Sequence, residues 1–185
     1  MPKFMIDIVS LPISKTRKIV RTESPNAFNL TERVSENPTP SDVAKFLNSP
    51  NPSHLRYKAT TGSTWCNKYL IDFMQKLGIY LPMVWWYGSV NKVGEDVAPK
   101  YAINVSEQTA NGLYDWIIKH GERFAWEIVA TEKELQDKVN SGDYTGAIFG
   151  FNKGGIGHVS AVIADHLPFD ANKGLFQSQA GRKNF

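Results

Sequence analysis

One cysteine, four histidines and no long apolar run set the first limits on this chain of 185 residues. A single thiol excludes an internal disulfide framework and any zinc site built from several thiolates. A membrane-crossing helix needs roughly 18 consecutive apolar residues, and no run here approaches that length. The opening Met1-Pro2-Lys3-Phe4-Met5-Ile6-Asp7 carries an acid where a secretory signal needs an apolar stretch. The expectation is a protein made in the cytoplasm without a signal of its own. Net charge is scarce too, at +3. That suits an anionic polymer or surface but is too weak to argue for nucleic acid. What the chain does have is apolar and aromatic mass. Hydrophobic residues make up 42% and aromatics 12%, with five tryptophans, which is enough to pack one domain and excludes wholesale disorder.

The pattern changes along the chain. Phe4-Met5-Ile6-Asp7-Ile8-Val9 and Lys18-Ile19-Val20-Arg21 read as short strands. Pro38, Pro40, Pro50 and Pro52 mark a loop-rich stretch, with a short helix over 41–47 and Ser41 as its N-cap. Residues 1–53 hold too few apolar side chains for a core of their own, so they read as an N-terminal arm or elaboration on a domain at 54–185. In that domain Cys66, Tyr69, Leu70, Phe73, Met74 and Leu77 follow helical spacing, with Ser63 or Thr64 as cap and Gly78 as stop. Residues 81–88 are apolar but unperiodic. A second helix is expected over about 106–120. Thr131-Glu132-Lys133-Glu134 is a capping box that opens a third helix, ending near Ser141-Gly142. Strand-like runs follow at 146–151, 158–163 and 174–179. Helices first and consecutive strands last predict an α+β fold, with an antiparallel sheet packed against helices.

Two residues carry the chemistry. Cys66 falls in the first turn of the best-defined helix. There the positive end of the helix dipole and the free backbone N–H groups favour thiolate, the nucleophilic form. His158 opens a strand directly after Gly154-Gly155-Ile156-Gly157, a loop through which backbone can approach closely. An imidazole beside a thiol gives a thiolate–imidazolium pair that attacks a carbonyl and then protonates the leaving amine. The plainer readings are a small buried hydrophobe for Cys66 and an ordinary strand-end histidine for His158. The glycine-rich loop is not a phosphate cradle, because no Lys-Ser/Thr follows it and it precedes a strand.

Thr64-Trp65-Cys66-Asn67 opening a helix, Gly155-Ile156-Gly157-His158-Val159 opening a strand, and Gln177-Ser178-Gln179-Ala180-Gly181 on the next strand resemble the papain-like cysteine cell-wall hydrolases. These are the CHAP and NlpC-like enzymes of phage endolysins and amidase effectors. Ala110-Asn111-Gly112-Leu113-Tyr114-Asp115-Trp116 is similar to a segment between Cys and His in such lytic domains. The resemblance covers about 57–185. It implies a papain-like domain in which Cys66 is the nucleophile and His158 the base. The third member would be a polar residue on the strand after the histidine: Gln179 is favoured, with Gln177 and Asp165 as alternatives. Gln in place of the usual carboxylate or Asn is a departure from the group. The backbone N–H of Cys66 would form the oxyanion hole, with Tyr57 as second donor. Trp65, Asn67 and Gln177 would meet substrate, while Asp72 would pair within the fold. The substrate implied is peptidoglycan, cut at the N-acetylmuramoyl–L-alanine amide or at a peptide bond of the stem or cross-bridge, without metal or cofactor. A single copy acting on the wall after lysis-linked release or injection is expected, with an immunity protein or phage or secretion machinery as further partners. Two other classes compete. A zinc amidase would need His54, His158, His166 and Asp165, but no paired spacing such as His-x-x-x-His is present. A non-catalytic wall-binding or phage structural protein would use the same fold without the reaction.

Overall fold

Five antiparallel strands form the frame that positions the site. The computed structural model describes residues 4–10 as backbone, and 34, 36–49, 56–86 and 100–181 in full. In chain order these give β1 (Phe4–Ser10), α1 (Pro40–Asn48), α2 (Cys66–Lys76), β2 (Val84–Trp86), β3 (Val105–Glu107), α3 (Ala110–His120), a 3-10 turn (Gly121–Phe124), β4 (Trp126–Val129), α4 (Glu132–Asn140), β5 (Tyr144–Gly150), β6 (His158–Val162) and β7 (Gln177–Ser178). The main sheet has the order β4-β1-β5-β6-β7, and β2 pairs with β3 apart from it. The described chain is therefore α+β, as the order of helical and strand patterns predicts.

Side-chain alternation splits the interior in two. Ala147 and Phe149 of β5 join Val159 and Ala161 of β6 in the larger core, with Leu70, Phe73 and Met74 of α2 and Leu113 and Trp116 of α3. Ile148 and Val162, from the other face, pack with Leu135 and Val139 of α4. With both faces covered, β5 is buried from Thr145 to Gly150 and so reads as a continuous apolar run. Each fully buried Leu or Phe in these layers contributes about 1.5–3 kcal/mol. Gly146 sets the α4 approach: a Cβ there would lie 2.7 Å from the Leu135 side chain and 2.8 Å from that of Val139.

Several elements differ from expectation for local reasons. The first helix is capped by Thr39 and not by Ser41. Thr39 Oγ1 accepts from Asp42 N at 3.2 Å, Asp42 Oδ2 accepts from Thr39 N at 3.0 Å, and Pro40 sits in the first turn, where it costs no hydrogen bond. The second predicted helix begins at Ala110, because 105–107 are engaged with 84–86 as strands and Thr109 supplies the cap. The apolar stretch 81–88 thus contains β2. The expected strand at 174–179 is regular only over Gln177–Ser178. β4 was hidden in the sequence by its four-residue length. The strand read at 18–21 lies outside the described residues. β1, within the segment read as an arm, is held on both sides: Ile6 is opposite Val129 and Ile148, and Ile8 is opposite Glu127 and Gly146. Among the described residues no helix is long and apolar enough to cross a membrane.

Candidate active site

Cys66 is the first residue of α2, and the helix start carries no side-chain cap. Neither Ser63 nor Thr64 caps it. Ser63 instead closes a tight turn with Thr60, each N–H donating to the other's carbonyl at 3.1 Å. An uncapped start leaves the first-turn N–H groups for other acceptors. The Asn67 N–H in that first turn and the Val159 N–H on β6 are near enough to the sulfur to favour its thiolate. β7 explains why Val159 is available. Its register pairs with β6 are Ala161 with Ser178 and Val162 with Gln177, so it stops short of the His158 end of the strand.

The His158 ring lies close enough to Cys66 to favour its thiolate. Its Nε2 meets Oε1 of Gln179, which leaves Nδ1 for the thiol. The three side chains form a relay from sulfur through imidazole to amide oxygen. Burial pushes the Cys66 thiol up, but the His158 hydrogen bond, the Val159 N–H, the imidazolium charge and the Asn67 N–H together hold it below the ordinary thiol range. The same hydrogen bond from Cys66 raises His158, against a lowering by burial and with further support from the thiolate charge and Gln179. Both shifts favour the ion pair. In the imidazolium both ring nitrogens donate, one to the thiolate and one to Gln179 Oε1, so an amide oxygen satisfies the outer position without a negative charge.

The imidazole borders a groove of about 700 Å³, lined by the turn residues Thr60, Gly62, Ser63 and Thr64 and by Ile156, Gly157, His158 and Gln179. Cys66 itself is 3% exposed.

The other expected site residues separate into those near the relay and those engaged elsewhere. Gln177 Oε1 accepts from Ser160 at 2.8 Å and is not the partner of His158. Asp165 is held by Asn140 Nδ2 at 3.2 Å and by the N–H of Leu167 at 3.0 Å, in the turn beyond β6. Of the three candidates, Gln179 is the one whose side chain meets His158. Tyr57 is fully buried, stacks edge-on against Tyr69, and donates its hydroxyl to Asp72 at 2.6 Å. That hydroxyl is committed to Asp72 and not offered to an oxyanion, which corrects the expectation for it. Asp72 also receives Arg56 Nε at 2.6 Å, so the pairing expected within the fold is with Arg56 and Tyr57. Trp65 is half-buried beside Cys66, with its indole N–H on the Lys58 carbonyl at 3.1 Å and the Lys68 ammonium 3.9 Å from its ring centroid. Trp85 and Trp116 are core residues, 4% and 2% exposed. Asn67 donates to the Gln108 carbonyl at 2.8 Å, tying the start of α2 to the segment before α3.

Two residues that hold the site were not singled out for such roles in the sequence. Asn111 grips the glycine-rich loop: its Nδ2 donates to the carbonyls of Asn152 at 3.0 Å and Gly155 at 3.1 Å, and its Oδ1 accepts from Asn152 N at 3.0 Å. A Cβ on Gly157 would collide with Asn111 Oδ1 and lie 2.6 Å from the Gly150 carbonyl, so this close approach requires glycine. Asn48, at the end of α1, donates to Tyr69 Oη and Ser178 Oγ, both at 3.1 Å. The only pointer to Asn111 was the likeness of 110–116 to a segment of lytic domains, and nothing local marked Asn48. His166 lies exposed on a left-handed turn, and His54 is outside the described residues. Among the described residues no three His, Cys, Asp or Glu side chains cluster as metal ligands do. No family model, no curated protein and no solved structure matches the chain.

Proposed function

We propose that this protein is a cysteine amidase or peptidase of papain-like type that cuts an amide bond of peptidoglycan. The reading is supported by the approach of His158 to both Cys66 and Gln179 beside an open groove. The thiolate attacks the scissile carbonyl carbon, and the oxygen takes the negative charge near the uncapped start of α2. His158 gives its proton to the leaving nitrogen, the C–N bond breaks, and a thioester to Cys66 remains. Neutral His158 then takes a proton from water, whose oxygen attacks the thioester. The acid product leaves and the thiolate–imidazolium pair is restored. Gln179 accepts from the imidazolium throughout and fixes the ring's orientation.

The near-complete burial of the sulfur favours a second reading, a wall-binding or phage structural protein on the same fold that performs no chemistry. Digestion of purified peptidoglycan, with mass analysis of the fragments, separates the two. New amine and carboxyl ends with wild-type protein, absent with Cys66→Ala and His158→Ala, support the hydrolase. Wall binding with no new ends, or cleavage that survives Cys66→Ala, refutes it. The same fragments identify the bond.

A further inference from the structure

One side of the groove beside His158 is a single turn, and that turn is held by a residue outside the groove. The lining residues Ala59, Thr60, Gly62, Ser63 and Thr64 all come from it. Gly62 sits there at φ +82°, in the left-handed region that glycine favours. Trp65 does not line the groove, and its indole N–H is spent on the Lys58 carbonyl at 3.1 Å. That bond closes 58–65 into a loop. Inside the loop Thr60 and Ser63 exchange two bonds of their own at 3.1 Å. Both ends of the loop rest on α2. Ahead of it, Arg56 and Tyr57 are each fastened to Asp72 at 2.6 Å. Behind it, the Trp65 carbonyl accepts from Tyr69 N at 3.0 Å. The Trp65 ring is itself held by α2: the Lys68 ammonium lies 3.9 Å from its centroid, on a side chain that is 7% exposed. A cation against an indole gains strength as water is removed from around it.

We infer that Trp65 is a positioning residue: clamped by Lys68 and bonded to Lys58, it holds the 59–64 turn as a preformed wall of the groove. What the groove binds rests on the hydrolase reading above; the clamp itself does not. A wall that is already ordered spares a ligand the entropy of ordering it, so the clamp acts on binding more than on bond breaking. Cys66 and His158 take their protonation states from each other and from Asn67, Val159 and Gln179, none of which belongs to the clamp. Loosening the turn therefore raises KM and leaves the alkylation profile of Cys66 where it is.

Two variants test this without touching the relay. Trp65→Phe keeps a ring for Lys68 and deletes the bond to Lys58. Lys68→Met keeps an unbranched chain in place and deletes the charge. Amide hydrogen exchange, read residue by residue by NMR, should quicken at Thr60 and Ser63 by about twofold to tenfold in Trp65→Phe. In Lys68→Met it should quicken there by about twofold to fivefold. Leu70 and Phe73 of α2 should exchange as in wild type, which shows that the helix is intact. On peptidoglycan fragments KM should rise by similar factors in both variants, with kcat within about twofold of wild type. Unchanged exchange at Thr60 and Ser63, or a fall in kcat at constant KM, overturns the inference. So does a KM effect of Trp65→Phe that Lys68→Met does not share, because Trp65 would then meet the ligand itself. If wild-type protein cleaves no fragment, the hydrolase reading has failed by itself, and calorimetry with the same fragments in the Cys66→Ala background takes the place of KM. Weaker binding in both variants upholds the positioning role; equal binding, or none with Trp65 and Lys68 in place, removes it.

Discussion

Removing the imidazole should leave Cys66 a poor nucleophile at neutral pH. In the native protein burial opposes the thiolate, and the His158 hydrogen bond is the largest contribution opposing that burial. Hydrogen bonds to charged groups contribute about 1.5–3 kcal/mol. Since 1.36 kcal/mol is a factor of ten in protonation equilibrium, His158→Ala should reduce the thiolate fraction at pH 7 by roughly tenfold to a hundredfold. The backbone donors from Asn67 and Val159 remain, so reactivity should fall without vanishing. The assay is clean because the chain has one cysteine. Iodoacetamide alkylation, followed by mass spectrometry from pH 5 to 10, titrates that thiol alone. Wild type should reach half its limiting rate below the ordinary thiol range, and His158→Ala well above the wild-type midpoint. Tryptophan fluorescence checks that the buried cluster around Trp85 and Trp116 is intact in the variant. In urea the two proteins should react identically. Superimposable native profiles for wild type and variant would refute the relay, since the sulfur would then owe its state to something other than the imidazole.

Turnover should follow a bell. It rises as Cys66 deprotonates, below the usual thiol range, and falls as His158 loses its proton, above the usual imidazole range, because one pKa is lowered and the other raised. Gln179→Ala removes an acceptor that raises His158, so the alkaline limb should move to lower pH and kcat/KM should drop about tenfold or more, with Gln179→Glu retaining an acceptor and pushing the limb upward. Arg56→Ala leaves the Asp72 carboxylate, 1% exposed, with only the Tyr57 hydroxyl among these two partners, and should cost about 3–5 kcal/mol in urea denaturation. A smaller loss for Arg56→Ala with Asp72→Asn than for Arg56→Ala alone would confirm that the stranded charge is the cause. Gly157→Ala should cost about 1–3 kcal/mol and reduce turnover, because Asn111 or the Gly150 carbonyl must move aside; unchanged activity would mean the loop is not held as tightly as its contacts indicate.

Local chemistry was legible where it alone decides structure. The α4 start could be read because Thr131 and Glu134 form the cap between themselves: Thr131 Oγ1 accepts from Glu134 N at 3.1 Å. The α2 periodicity could be read because its large apolar residues Tyr69, Leu70, Phe73 and Met74 recur at helical spacing, even though the helix is buried at every position from Lys68 to Met74. Long-range pairing could not. Nothing within Phe4–Ser10 says that it belongs between β4 and β5, since register there depends on partners over a hundred residues away. β2 and β3, three residues each, are shorter than any periodicity can signal. Tyr57 misled because a tyrosine upstream of a nucleophile reads the same whether its hydroxyl faces a substrate or a buried carboxylate 15 positions on. For the third relay member, alternation put Gln177 and Gln179 on one face, and only the end of β7 at Ser178 separates the glutamine facing Ser160 from the one that reaches His158.

A relay of three side chains from three distant segments works only if those segments share references, since an error of about 1 Å at a reacting centre costs on the order of a hundredfold in rate. Here the start of α3 is one reference. Asn67, next to Cys66, is bonded to the carbonyl of Gln108, and Asn111, three residues further, grips the loop that delivers His158. A rotation of α2 away from α3 would therefore pull on the 108–111 segment, whose Asn111 fixes the histidine loop. The other reference is Ser178. It binds Tyr69, one turn into the cysteine helix, at 2.5 Å, and Asn48 of α1 at 3.1 Å, and the next residue along is Gln179. Cysteine and histidine are thus aligned through the α3 start, and cysteine and glutamine through Tyr69, while the remaining pair meets directly. The triangle is closed by Asn67, Asn111, Tyr69 and Ser178, outside the three side chains themselves. It also gives α1 a purpose: Asn48 spans α2 and β7 at the point where their relative position sets whether Gln179 reaches the imidazole.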